Sequence, residues 1–246
     1  MTKADKGGAA RSRAALPDLA WLVHEVDNEP LRYSLRSVAA HAAGLYRKVW
    51  IVGALPDWLT GVGHIPVAEP DPREKFASIR AKVAALARDR RVTRQVVVLN
   101  DDVFASGPVS SWEPTHMGPT SVYVAERFRP RNSWWEALKV TAEWVGGDPL
   151  CYAGHVPLLY DRARLREALA AYPADQRLLD CGLYPVAGAG GEGRPALNAK
   201  AGTDEVAKLD HPDMPGWWSS NDASFAGEVG DRVRAMFPAP SPWEVA

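Results

Sequence analysis

One stretch constrains this chain more than any other: Gln95-Val96-Val97-Val98-Leu99-Asn100-Asp101-Asp102-Val103-Phe104. Four consecutive apolar residues, three of them valine, suit a strand covered on both faces, as at the centre of an α/β sheet. Two adjacent carboxylates, Asp101 and Asp102, then stand at its carboxyl end. In open α/β sheets that edge holds ligands, because the loops leaving the strands diverge and open a crevice. Side-by-side carboxylates repel unless a proton or a cation joins them, so a hard divalent ion is a natural partner, and a nucleotide diphosphate would bring one. The same three polar residues also fit turn and helix-cap chemistry, where short side chains satisfy loose backbone groups.

The flanking chain alternates strand and helix. Residues 18–26 read as a first strand, and Asp27-Asn28-Glu29-Pro30 supplies a cap and an early proline for the helix that follows. Leu31, Leu35, Val38, Ala39 and Ala42 recur at helical spacing, while Glu29, Arg32 and Arg36 share another face that suits solvated ion pairs. Residues 48–53 give a second strand, and 64–67 a short edge strand that tolerates Pro66. A helix over 72–90 buries Phe76, Ile79, Val83 and Leu86. Its opposite stripe, Lys75, Ser78 and Lys82, reads either as a wet face or as an anion site at the helix start.

Further on, the pattern predicts a strand over 121–124, an arginine-bearing loop with Arg127, Arg129 and Arg131, and a tryptophan-rich helix capped by Asn132-Ser133. A strand over 150–154 leads to His155-Val156-Pro157, a helix spans 161–172, and Asn221-Asp222 opens a last helix ahead of a docked, proline-rich end. His155 reads as a packed imidazole or as a general base, metal ligand or phosphate-binding hydrogen-bond donor. Residues 173–209 take no clear assignment. The alternation predicts a mainly parallel sheet flanked by helices. No Gly-x-Gly-x-x-Gly or Walker loop follows a strand, so the usual dinucleotide and P-loop readings lack their phosphate cradle.

Composition narrows the class. A chain of 246 residues with 46% apolar and 24% charged residues can bury a large core, here expected over 17–246 after a disordered tail at 1–16. A net charge of -1 and no recognised module argue against nucleic-acid binding, even with the arginines between 73 and 94 and at 127, 129 and 131. No apolar run reaches membrane-span length and no signal-peptide core follows the N-terminus. Two cysteines make neither a disulfide framework nor a zinc site, which fits a cytoplasmic setting. Ten tryptophans leave stacking on sugars open, and with it a non-catalytic carbohydrate-binding or scaffold protein as the alternative function.

Four segments in register resemble the Stealth family of sugar-phosphate transferases. Asn28-Glu29-Pro30-Leu31-Arg32-Tyr33-Ser34-Leu35-Arg36-Ser37 is similar to its opening motif with one proline inserted, and Leu99-Asn100-Asp101-Asp102-Val103-Phe104 to its Leu-Asn-Asp-Asp-x-Phe centre. His155-Val156-Pro157 resembles its His-x-Pro segment, and Asn221-Asp222 with residues 237–244 its last block. Small glycosyltransferases from phage genomes look similar too. The family's Tyr-Thr-Trp-Val-Asp-Gly block is missing, with His24-Glu25-Val26-Asp27 at the corresponding strand end.

The resemblance implies a GT-A-like, Rossmann-like single domain that moves a glycosyl or sugar-1-phosphate group from a nucleotide sugar, a UDP-sugar, to a hydroxyl of a glycan or protein. It implies Mg²⁺ or Mn²⁺ on Asp101 and Asp102, and catalytic roles for His155, Asp222 and Asp102. Donor and phosphate contacts are then expected from Glu29, Arg32, Arg36, Lys75, Ser78, Asn100 and Asn221, with Arg177 as the arginine downstream of His-x-Pro.

Overall fold

The computed structural model describes residues 16–68, 74–127 and 132–245. The expected N-terminal tail up to residue 15, together with Arg73, Arg129 and Arg131, lies outside them. Among the described residues the chain runs β1 (Asp18–Val23), α1 (Glu29–His41), β2 (Val49–Gly53), β3 (Gly63–Ile65), α2 (Lys75–Arg88) and β4 (Gln95–Asn100). β5 (Val103–Ala105), β6 (Thr115–His116), α3 (Thr120–Arg127), α4 (Ser133–Val145), β7 (Leu158–Asp161) and α5 (Arg162–Ala171) follow. α6 (Tyr184–Ala187), β8 (Arg194–Pro195), β9 (Trp217–Ser219), α7 (Asp222–Phe225) and α8 (Glu228–Met236) complete it.

The central sheet has the order β3-β2-β1-β4-β7. β3, β2, β1 and β4 are parallel, and β7 joins the edge antiparallel to β4. Alternation along each strand builds one core on each side of this sheet, since successive side chains point to opposite faces. Leu19, Trp21 and Val23 of β1, with Val97 and Leu99 of β4, pack with α1 and α8. Ala20, Leu22, Val96 and Val98 pack on the other side with α2 and α5. Both faces being covered is why β4 reads as an unbroken apolar run.

From β1 the chain passes through α1 to β2 on one side, whereas β4 arrives on the other side of β1. Between β1 and β4 the strand order reverses, and at such a switch point the loops part to leave a crevice beyond the carboxyl ends. The Asn100-Asp101-Asp102 turn stands at this edge. α1 secures the exit from the turn: Ser34 Oγ donates to the Val103 carbonyl at 2.5 Å, and Ser37 Oγ accepts from Ala105 N–H at 2.9 Å. β9 pairs antiparallel with β5 and adds a Ser220 N–H bond to the Asp102 carbonyl at 3.1 Å.

Several sequence expectations give way. Residues 121–124, predicted as a strand, lie inside α3, where Tyr123 is buried and Val122 is 49% exposed. Asp148 accepts from both Ser121 N–H and Ser121 Oγ at the start of that helix, a distant cap invisible to local propensity. Residues 151–154 are consecutively buried and Leu150 partly so, but the segment joins no sheet strand. Cys151 exchanges backbone bonds with Met117 and Gly118, and the edge position belongs to β7 instead. The expected last helix is two, α7 and α8, separated at Ala226-Gly227. The helix expected over 72–90 is observed as Lys75–Arg88, with Phe76 only half-buried.

The expected docking of the C-terminus is present. Thr60 N–H bonds the Trp243 carbonyl and Val245 N–H the Trp58 carbonyl. Beside them Glu244 accepts from Arg36 through Nε and Nη2 at 2.8 Å each and from Arg32 Nη1 at 2.9 Å. None of the described helices is long and apolar enough to cross a membrane.

Candidate active site

A cavity of about 330 Å³ opens at the carboxyl edge between β1 and β4. Its floor is the end of the two strands, with His24 after β1, Asn100 closing β4, and Asp101 and Asp102 directly after it. α2 supplies one wall through Lys75, Ser78 and Lys82. Opposite stand Trp134 of α4, His155, Asp180 and Lys200.

The acids are held unequally. Asp101 Oδ2 accepts from Asn28 Nδ2 at 2.5 Å. Burial, reinforced by the neighbouring Asp102 charge, pushes the Asp101 carboxyl up to about 6. Burial also raises Asp102, against the pull of Lys200. Lys200 Nζ lies 3.3 Å from Asp102 Oδ2, longer than the 2.7–2.9 Å of a tight charge-assisted bond. Asp102 Oδ1 is shielded from solvent and has no hydrogen-bond partner. A buried carboxylate oxygen left unpaired is costly, and a cation or a donor on a ligand would relieve that cost.

The α2 stripe is part of this site rather than a wet face. Ser78 and Lys82 are both buried, and Lys82 Nζ donates to Ser78 Oγ at 2.8 Å and lies 3.4 Å from His24 Nδ1. The N-terminal turn of the helix begins at Lys75, which lines the same cavity. Both favour an anion.

His155 adopts the left-handed backbone region, with φ at 54°, which a residue bearing a Cβ rarely visits. Such strain is found where surrounding structure fixes a side chain for a purpose. Its ring lies nearly parallel to that of Trp134, 6.4 Å away between centroids. Burial, with Lys200, Lys75 and Lys208 nearby, lowers the imidazole to about 3. It is therefore neutral at ordinary pH and offers a ring nitrogen lone pair and an N–H.

Of the residues expected from sequence, Lys75, Ser78, Asn100, Asp101, Asp102 and His155 share the cavity. The others lie elsewhere. Arg32 and Arg36 are engaged with Glu244, and Glu29 accepts from Arg234 at 2.9 Å. Arg177 reaches Glu136 at 2.9 Å. Asn221 caps α7 by accepting from Ser224 N–H, and Asp222 sits exposed on the first turn of that helix. Sequence reasoning did not single out Lys200, Asp180 or Trp134 as site residues. Lys82 falls four residues after Ser78 on one helix face, so its placement was available from spacing. Lys200 follows an irregular loop and carries no such signal.

Among the described residues, Asp101 and Asp102 are the adjacent carboxylates a metal could use, with Asp180 elsewhere on the cavity lining. No group of three or more His, Cys, Asp or Glu side chains among the described residues converges on one point. Two carboxylates suit Mg²⁺ or Mn²⁺ when substrate phosphates complete the shell, and the unpaired Asp102 Oδ1 supplies a ligand atom with no competing partner.

Crystal structures of the galactosyltransferase LgtC share this architecture. One, in complex with donor and acceptor sugar analogues, superposes with a TM-score of 0.52 over 92% of this chain and 98% of that one, at 13% sequence identity. The fold is of the GT-A type. A second LgtC structure, of an active-site glutamine-to-glutamate variant, agrees with a TM-score of 0.51, the same coverage of both chains and 13% identity. No protein-family model and no curated protein sequence matches the chain. In this GT-A framework the acidic turn, the lysine wall and the strained histidine all lie at the edge where the parallel strands end.

Proposed function

We propose that the protein is a glycosyltransferase that uses a nucleotide sugar, a UDP-sugar, as donor and a hydroxyl of a glycan or protein as acceptor. The observation that carries this is the buried, unpartnered Asp102 Oδ1 beside Asp101, in a cavity that Lys75, Lys82 and Lys200 also line at the switch point of a GT-A-type sheet. That combination of adjacent anions and cations fits a diphosphate bound together with a divalent ion.

Asp101 and Asp102 would hold Mg²⁺ or Mn²⁺ against the donor, where the ion when bound offsets charge collecting on the leaving diphosphate. Lys75 and Lys82, with the N-terminus of α2, attract and orient the phosphate oxygens. Asn28 holds Asp101 in place by its 2.5 Å hydrogen bond. His155, neutral and fixed on Trp134, hydrogen-bonds the incoming hydroxyl or the donor, and its low pKa suits positioning better than proton donation. Asp222 stays a candidate for the acceptor side, since it lies two residues beyond Ser220, whose N–H binds the Asp102 carbonyl.

A second reading, transfer of a whole sugar phosphate, is supported by the four Stealth-like segments. It differs in which bond of the donor breaks and uses the same residues. Isothermal titration of UDP-, GDP- and CDP-sugars with Mn²⁺ or with EDTA, on the wild type and on Asp102→Ala, tests the shared core. Metal-dependent binding of one nucleotide sugar, lost in the variant, is expected. Binding of a free sugar with no metal dependence and no nucleotide binding would instead favour a carbohydrate-binding protein.

A further inference from the structure

We infer that Lys200 is the internal counter-ion of the acidic turn and couples cation binding to diphosphate binding. Its ammonium holds Asp102 when no ligand is present and moves to the diphosphate when the cation takes the carboxylates. The inference rests on the reading of Asp101 and Asp102 as a cation site, and adds a role for a residue outside every motif described above.

The main chain around Lys200 is fixed. Lys200 N–H donates to Asn198 Oδ1 at 2.8 Å, and the Lys200 carbonyl accepts from Lys208 Nζ. The neighbouring Ala199 and Ala201 exchange backbone bonds with Ser219, and Ala199 N–H reaches the Gly154 carbonyl beside His155. The side chain is not fixed in this way. Among the described residues its one hydrogen bond is the long 3.3 Å contact to Asp102 Oδ2, and it is 32% exposed at the cavity wall. A lysine is a point charge on a flexible stem, so it can reorient within the cavity while its backbone stays still.

A divalent ion on Asp102 and an ammonium on the same carboxylate would lie within a few ångströms of each other, and like charges that close repel strongly. A bare cation must therefore displace Lys200 into the cavity with no new anionic partner. A cation arriving with a diphosphate supplies that partner, because the phosphate oxygens enter the space that Lys200, Lys75 and Lys82 already line. Lys200 thus opposes the bare ion and favours the ion-diphosphate pair, which is a coupling of two ligands through one side chain.

Mn²⁺ binding followed by electron paramagnetic resonance of the free ion tests this without turnover. Mn²⁺ is titrated alone and with inorganic pyrophosphate into the wild type, Lys200→Met and Lys200→Arg, with free Mn²⁺-pyrophosphate corrected from protein-free controls. The wild type is expected to take up Mn²⁺ at least roughly tenfold more tightly with pyrophosphate than without. Lys200→Met is expected to bind bare Mn²⁺ about tenfold more tightly than the wild type and to lose most of the pyrophosphate enhancement. Lys200→Arg, which keeps the charge, should retain the wild-type pattern, and unchanged circular dichroism excludes misfolding. If the wild type binds Mn²⁺ with pyrophosphate but bare-ion affinity is unchanged or weaker in Lys200→Met, this inference alone falls. If the wild type takes up no Mn²⁺ under either condition, the cation site at Asp101 and Asp102 falls with it.

Discussion

The side-chain amide of Asn28 joins the first helix to the acidic turn: its Nδ2 donates to Asp101 Oδ2 at 2.5 Å while its Oδ1 accepts from Leu31 N–H at 2.9 Å. One residue caps α1 and orients a carboxylate 73 positions away. Asn28→Ala should lose about 1 kcal/mol of stability with the cap. It should also weaken metal-dependent donor binding. Asn28→Ser restores capping but is too short to reach Asp101, so its melting temperature should recover while donor affinity stays low. Paired thermal melts and titrations check both parts.

Acid should loosen the C-terminal segment first. Burial would raise the Glu244 carboxyl, but the Arg36 hydrogen bonds and the Ser241 N–H outweigh it and bring it down from 4.5 to about 2. A carboxylate depressed on folding contributes stability that is present above its unfolded pKa and lost as pH falls through the folded one. The wild type should therefore lose stability as pH drops from about 4.5 toward 2, and Glu244→Gln should start lower and show a shallower fall. Thermal melts across that range measure it.

Gly53 ends β2 at φ +108°, and a Cβ there would sit 2.2 Å from the Val23 carbonyl oxygen and 2.6 Å from Lys82 Cε. Gly53→Ala should destabilise the fold by roughly 2 kcal/mol or more, from backbone strain and a clash with β1 that cannot move aside. Because Lys82 is displaced as well, donor binding should fall beyond the stability loss. Chemical denaturation and titration separate the two.

The strained His155 offers a different separation. His155→Gly relieves the positive φ and should hold or raise stability by a few tenths to about 1 kcal/mol. The same change removes the imidazole that positions the hydroxyl or donor and should lower turnover by roughly a hundredfold. Equal stability with lost activity is the expected pattern, measured by melts beside a product assay.

The central strand and the carboxylates after it were legible because β4 is buried on both faces, which writes a continuous apolar run into the sequence. The start of α1 was legible because capping is local chemistry. Tertiary partners were not: Asp148 capping α3, Glu244 claiming Arg32 and Arg36, and Lys200 reaching Asp102 all act across long stretches of chain. The arginines of α1 matched a motif for phosphate contact, yet only the fold reveals a carboxylate delivered to them from the other end of the protein. Residues 150–154 misled for the opposite reason: Cys151 and Ala153 pack with α4 while Leu150 and Tyr152 pack into the core on the other side, which produces the same apolar run as a strand.

The most direct test of glycosyl transfer is to identify the nucleotide released. Incubating the protein with its nucleotide-sugar donor, Mn²⁺ and a panel of hydroxyl acceptors, and following the reaction by ³¹P NMR, reads which donor bond breaks. A nucleoside diphosphate product, dependent on Mn²⁺ and absent with Asp102→Ala, is the predicted result. A nucleoside monophosphate would show transfer of the sugar phosphate and contradict glycosyl transfer, and a nucleoside diphosphate released equally well by Asp102→Ala would contradict the placement of the reaction at this site.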